Sequence, residues 1–290
     1  MKLIVISGRS GSGKSTALNA LEDEGFSCID NFPAGLLPQL IQSNLEAKII
    51  QDLAVCIDAR NLPKDLEQLP QRLKALDQID LKIQVIFLDA FADTLIQRFS
   101  ETRRRHPLTH LFHDLREAID MEREVLAVVS ELADLQIDTT TLTGADLVEM
   151  IKVRVINKSA NSMSLLFRSF AFKNGVPTDS DFVFDVRCLP NPYWQKDLRS
   201  LTGADQAVRN FLDSQPVATL LANDICSFLE TWLSEFEKTN RAYLTVAIGC
   251  TGGQHRSVYM VERLATHFSQ KYPDVLVRHQ ETNIATNAMR

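Results

Sequence analysis

The chain has 290 residues, of which 45% are hydrophobic and 23% charged, and carries a formal net charge of −6. That length supports one large or two medium domains, each with its own core, and the composition excludes a disordered or collagen-like chain. The negative balance excludes a protein that is basic throughout while leaving room for a local basic patch.

Short apolar runs alternate with amphipathic stretches through the first half, the pattern of βαβ units around a parallel sheet. In chain order the runs predict strands over Lys2 to Ile6, Ser27 to Ile29, Leu53 to Ile57, Ile83 to Leu88 and Leu135 to Ile137. Between them the spacing predicts helices over Lys14 to Glu24, stopped by Gly25, then Leu66 to Asp77, Ala92 to Arg105, Leu115 to Ala133 and Ala145 to Val155. The polar stretch NKSANSMS, Asn157 to Ser164, reads as a linker and divides the chain into domains 1–157 and 158–290. After it the pattern restarts with an apolar run from Leu165 to Phe172, a strand from Phe182 to Val186, a helix from Ile225 to Phe236, a strand from Tyr243 to Ile248 and a helix through about Ser269. With the glycine-rich run GRSGSGKS, Gly8 to Ser15, lying between the first strand and the first helix, the expected fold is α/β, with an N-terminal P-loop NTPase or kinase-like parallel sheet carrying helices on both faces and a second α/β domain behind it.

Gly8 to Ser15, GRSGSGKS, satisfies G-x-x-x-x-G-K-[ST] and sits between the first strand and the first helix. Glycines let backbone N–H groups converge on a polyphosphate, and the helix beginning near Lys14 points its positive end at the same anion. Gly8, Arg9, Ser10, Gly11, Ser12 and Gly13 would form the cradle, Lys14 would reach the β- and γ-phosphates, and Ser15 would hold Mg²⁺. A second carboxylate is expected at the end of a neighbouring strand, and Asp58 and Asp89 both qualify, with Asp30 on the same edge. Arg103, Arg104 and Arg105 form a basic cluster that reads equally as a phosphate lid or as a solvated helix face. Asp138 to Thr141 ends another strand and borders the expected base.

The second half holds its own strand-loop-helix, with GCTGGQHRS from Gly249 to Ser257. Cys250 and Arg256 stand in the C-x-x-x-x-x-R-[ST] relation of cysteine phosphatases, where loop amides and the arginine grip an anion. Gly249 replaces the histidine usual before that cysteine in tyrosine phosphatases. Asp185 and Arg187 lie just beyond a strand and could join the pocket, while Tyr193 and Trp194 would line it or pack as core aromatics. The five cysteines, Cys28, Cys56, Cys188, Cys226 and Cys250, contain no C-x-x-C pair, which predicts a reduced, cytoplasmic protein without a structural zinc site. The apolar start is too short for a signal peptide or a membrane span.

Together, GRSGSGKS, ALEDEGFSCIDNFP, DARN at Asp58, Ala59, Arg60 and Asn61, FDVRCLPNPYW and AIGCTGGQHRSVYMVERLA closely resemble the RapZ/YvcJ family of bacterial nucleotide-binding proteins over nearly the whole length. The resemblance implies ATP and GTP binding, with Gly8 to Ser15 contacting one nucleotide and Asp58 to Asn61 assigned to guanine nucleotide, together with weak hydrolysis and homo-oligomers. In enterobacterial members it implies a C-terminal sensor of glucosamine-6-phosphate that also binds small RNA and hands it to a ribonuclease. The matching sugar-phosphate positions are Asp185, Arg187, Cys250, Thr251, Gly252, His255 and Arg256, with Gly253 in the same loop. Three departures stand out. Tyr193 replaces a histidine, Gln254 replaces a lysine, and the tail QETNIATNAMR lacks a basic run, which weakens the expectation of RNA binding because that affinity comes mostly from cationic contacts to phosphates.

The sequence thus predicts a regulatory nucleotide-binding protein, at most a slow ATPase or GTPase, with a second site for a phosphorylated metabolite. Its rivals are a P-loop kinase with Asp30 orienting the acceptor, a module that binds RNA or a ribonuclease without turnover, and a phosphatase using Cys250.

Overall fold

A computed structural model describes residues 1–47, 51–77, 81–102, 105–109, 114–156, 163–239 and 241–282. Two compact units divide the chain, Met1–Asn157 and Lys158–Arg290.

The first unit is built on β1 (Lys2–Gly8), α1 (Lys14–Glu22), β2 (Ser27–Ile29), α2 (Leu37–Glu46), β3 (Leu53–Cys56), α3 (Pro63–Glu67), α4 (Leu69–Asp77), β4 (Lys82–Asp89), α5 (Ala92–Thr102), α6 (Leu115–Val125), α7 (Ala127–Glu131), β5 (Leu135–Asp138) and α8 (Gly144–Ile151). Its strands form one five-stranded sheet in the order β2-β3-β1-β4-β5, with every pair parallel. The central strand β1 reads KLIVISG, and Leu3, Ile4, Val5 and Ile6 are all fully buried. Alternate side chains of a strand point to opposite faces, so burial of all four means that both faces of the sheet are covered. Leu3 and Val5 pack into one core with Leu37, Ile41, Leu66 and Val129 from α2, α3 and α7. On β1, β2 and β3 lies α1, which also packs against α8.

Several boundaries depart from the sequence expectation. The helix predicted over Leu66 to Asp77 begins earlier, at Pro63, and jogs at Gln68, because Pro70 lacks an N–H and crowds the carbonyl four residues back. The helix predicted over Leu115 to Ala133 divides at Leu126. A single π-helical turn over Lys152–Ile156 extends α8. The helix α2 was not predicted; its Pro38 sits in the first turn, where its missing N–H costs nothing.

The second unit contains β6 (Ser164–Ala171), β7 (Phe182–Asp185), α9 (Gln206–Asp213), α10 (Pro216–Lys238), β8 (Tyr243–Cys250), α11 (Arg256–Phe268) and β9 (Val275–His279). Its four strands are again all parallel, in the order β7-β8-β6-β9. Every residue of the central strands β6 and β8 is buried. Phe167 of β6 stacks on Phe268 of α11, with centroids 5.6 Å apart, and the core continues through Ile225, Leu229 and Leu233 of α10. Neither α9 nor β9 was predicted, and α10 starts well before the predicted Ile225. Of the expected linker only Met163 and Ser164 are described, and Ser164 opens β6.

Candidate functional site

At the carboxyl end of β1 the chain turns through Arg9–Gly13 and enters α1 at Lys14. Gly13 holds the last turn at φ 102°, a left-handed conformation that costs glycine little, and a Cβ there would also strike the Leu147 side chain. Lys14 Nζ lies back over the loop, donating to Gly8 O at 2.7 Å and Arg9 O at 3.1 Å. Ser15 is exposed on the first turn of α1. The Ser12 side chain is buried, and its hydroxyl has no hydrogen-bond partner among the described residues.

Three contacts fasten this loop, and sequence reasoning found none of them. Arg9 is buried, with Nε donating to Asp89 Oδ1 at 2.6 Å and its second terminal nitrogen donating to Ala90 O at 2.5 Å. Asp89, one of the two candidate magnesium carboxylates, is therefore engaged by the loop's own arginine. Arg98 of α5 donates to Gly11 O and to Thr139 Oγ1, both at 3.0 Å, tying the loop to the end of β5. Burial pulls the Arg98 guanidinium below its usual range. Finally, the Ser10 amide and hydroxyl donate to Glu122 at 2.8 and 2.7 Å, and His106 Nε2 meets the same carboxylate at 2.9 Å. The one available signal is that Glu122 interrupts the apolar stripe of Ala118 and Ile119 on α6, where a solvated glutamate would be out of place.

Beyond β3, Asp58 is buried and ion-paired with Arg60, whose Nε reaches Asp58 Oδ2 at 2.9 Å. Asn61 Oδ1 accepts from the Ala34 amide at 2.6 Å, and its Nδ2 donates to Phe32 O and Asp58 O, both at 3.2 Å. Asn61 thus clasps the turn after β2 to the turn after β3, and Ala59 is buried between these fixed residues. Asp30 is exposed at the end of β2. The Cys56 thiol beneath is pushed up to about 12 by burial and by the nearby Asp30 and Asp58 carboxylates, with Lys14 opposing. The phosphate loop, Asp30 and Asp58 therefore share one edge of the sheet. Arg103 and Arg104 lie outside the described residues, and Arg105 is exposed.

In the second unit, β8 runs into Thr251–His255 and then α11. Cys250 is 2% exposed, and its Sγ accepts from the Gly253 amide at 3.2 Å and lies 3.2 Å from Ser257 Oγ. A thiol so enclosed is poorly placed to attack a substrate. Gly249 leaves no room for the histidine of tyrosine phosphatases, since even a Cβ would run into the Phe170 and Phe172 rings. Gly253 turns at φ 68°, with Glu281 against it. Arg256 is buried and donates to Arg187 O at 2.8 Å, Leu189 O at 3.0 Å and Thr251 Oγ1 at 3.3 Å, whereas its Nε has no partner among the described residues. A substituent on Gly252 would enter open space. Exposed Asp185 and Arg187 pair with each other at 2.7 Å, and their hydrogen bond holds the Asp185 carboxyl below the usual range. The His255 imidazole is lowered by burial, and its Nε2 lies 3.1 Å from Leu198 O. Tyr193 and Trp194 are 45% and 75% exposed, so neither packs in a core. Asp185, Arg187, Cys250, Thr251, Gly252, Gly253, His255 and Arg256 therefore gather where β7 and β8 end, with the Arg256 guanidinium tying Arg187 O to Thr251 Oγ1.

A sequence model of the RapZ-like N-terminal domain matches residues 1–159, and one of the RapZ C-terminal domain matches residues 163–283. A nucleotide-binding protein of Hahella chejuensis is 52% identical over 283 residues, covering 97% of this chain and 99% of that one. Another from Pseudomonas putida strain GB-1 is 52% identical over 97% of this chain and 100% of its own length. Among solved structures, shikimate kinase from Bacteroides thetaiotaomicron is 15% identical with a TM-score of 0.35, covering 52% of this chain and 96% of that one. No helix of the described residues is long and apolar enough to cross a membrane, and no group of three or more metal-ligating side chains gathers among them. With both glycine-rich loops inside the matched segments and relatives aligned from end to end, the chain belongs to the RapZ family.

Proposed function

We propose that this protein is a regulatory nucleotide-binding protein that takes ATP or GTP with Mg²⁺ at Gly8–Ser15 and hydrolyses it slowly. The observation that carries the reading is the loop itself: a buried parallel strand feeds a glycine turn at a helix N-terminus, with Lys14 resting on loop carbonyls that it would leave for phosphate oxygens. The buried, unpartnered Ser12 hydroxyl and the exposed Ser15 hydroxyl fit a polyphosphate and its magnesium. Bound Mg²⁺ supplies charge neutralisation at the phosphate oxygens. Asp58, which would have to turn from Arg60 to do so, is the carboxylate proposed to orient it, and Asp58 to Asn61, clasped to the turn after β2, is the segment that the family resemblance gives to guanine nucleotide. Removing the ammonium with Lys14→Ala is expected to weaken ATP and GTP about ten-fold or more, read by calorimetry. Unchanged affinity would refute the assignment.

The second unit is proposed to sense a phosphorylated amino sugar of the glucosamine-6-phosphate kind. The free Arg256 Nε, the amides at the start of α11 and the open side of Gly252 support a phosphate there, with Asp185 available to sugar hydroxyl or amine groups. Titration with glucosamine-6-phosphate, glucosamine and inorganic phosphate checks this, and equal binding of the unphosphorylated sugar would refute it. A role as adapter between a small RNA and a ribonuclease, in a homo-oligomeric cytoplasmic protein, completes the reading on family grounds. RNA affinity that fails to fall with salt would remove that part.

A further inference from the structure

Glu122 is fully buried on the apolar face of α6, where a charge persists only if strong donors surround it. They do. Oε2 accepts from the Ser10 amide at 2.8 Å, Oε1 accepts from the Ser10 hydroxyl at 2.7 Å, and His106 Nε2 stands 2.9 Å from Oε2. His106 Nδ1 accepts from the Leu108 amide at 3.2 Å, which leaves the ring proton on Nε2, pointing at the carboxylate. Burial raises the Glu122 carboxyl, but the His106 donor, the Lys14 charge and both Ser10 donors outweigh it and hold the group below its usual range. An anion is thus built permanently into the back of a loop whose front is shaped for a second anion.

The placement has a mechanical consequence. Ser10 opens the turn of the phosphate loop, and the next inward contact, Ser12 N–H to Arg9 O at 3.1 Å, depends on that turn being set. With Ser10 pinned from behind, the turn cannot swing outward to spend its amide on solvent. The amides at the start of α1 then face the ligand without first paying to order the loop.

We propose that Glu122, oriented by His106, is a positioning residue of the nucleotide site that holds the Arg9–Gly11 turn in its binding geometry and so sets affinity for the polyphosphate part of the nucleotide. This rests on the nucleotide reading of Gly8–Ser15, and the test separates the two. Calorimetry on the full-length protein would use Mg·ATP and AMP as probes. The wild type against Lys14→Ala decides the nucleotide reading. Given binding that depends on Lys14, Glu122→Gln keeps the size but turns an amide NH₂ toward a ring of donors. It is expected to weaken Mg·ATP about ten-fold or more while changing AMP less than about two-fold. Glu122→Asp, which retains the charge with a shorter reach, is expected to fall between. A purely structural defect would lower both affinities alike, and that result would overturn the proposal, as would wild-type Mg·ATP affinity in Glu122→Gln. Should Glu122→Gln fail to fold, His106→Leu removes the ring donor to Glu122, together with the Nδ1 acceptor of the Leu108 amide, and keeps an apolar contact with Phe99. A loss of about three-fold or more for Mg·ATP, with AMP unmoved, is then expected, and no change refutes the proposal.

Discussion

Arg9 and Arg256 each stand in a glycine-rich turn between a strand and a helix, and each is engaged mostly by the protein's own acceptors. Their positions were legible in the sequence, but their partners were not, because Asp89 lies 80 residues from Arg9 and Arg187 lies 69 from Arg256. A comparable pair, Arg168 and Asp179, is bidentate at 2.6 and 2.9 Å with side chains 4% and 2% exposed. Asp179→Ala would strand a buried guanidinium and is expected to cost about 3 kcal/mol or more in a denaturant titration. The cysteines differ just as sharply. Cys188 is exposed and Cys250 buried, while burial pushes the Cys28 and Cys56 thiols up to about 11 and about 12. Brief alkylation near pH 8 followed by peptide mass spectrometry should label Cys188 first and leave Cys56 and Cys250 unmodified in the folded protein.

Among the elements, strands of the first sheet were readable because buried parallel strands are continuous apolar runs, and LIVI, LAVC and VIFL leave little doubt. Helix ends were less legible, since caps and proline jogs act over one or two residues. Thr143 and Asp146 form a reciprocal capping box at the start of α8, with Thr143 N–H on Asp146 Oδ2 at 2.8 Å and Asp146 N–H on Thr143 Oγ1 at 3.2 Å. Thr143→Ala removes one of these bonds and is expected to cost about 1 kcal/mol, seen as a lower midpoint in urea. The short strand β9 and the helix α9 were missed although each carries a readable pattern. Neither is featureless: Val208 and Leu212 of α9 stand at i, i+4 and are buried, and the apolar residues Val275 and Val277 of β9 alternate along a strand that pairs with β6.

For the molecule as a whole, acid should act in two stages. The buried His255 imidazole has a lowered pKa, so the unfolded chain binds its proton first and stability begins to decline as pH falls through about 6.5. Glu122 and Glu262 are held below the usual carboxylate range, Glu262 chiefly by the hydrogen bond to His279, and their contribution is complete above the unfolded value of about 4.3 and is lost as pH falls through the depressed folded values. The melting temperature should therefore slope gently downward below about pH 6.5 and steeply below about pH 4, and a flat profile across that range would contradict these assignments. By itself the sequence determined what is local: the order of strands and helices, two glycine loops each between a strand and a helix, and the residue types that an anion needs. Only the tertiary structure decided which side chains remain available to a ligand. Parallel sheets bring strand ends together from distant parts of the chain, so that Asp89 meets Arg9; helix packing brings Glu122 of α6 to Ser10, and the Arg256 guanidinium is consumed on every side but Nε.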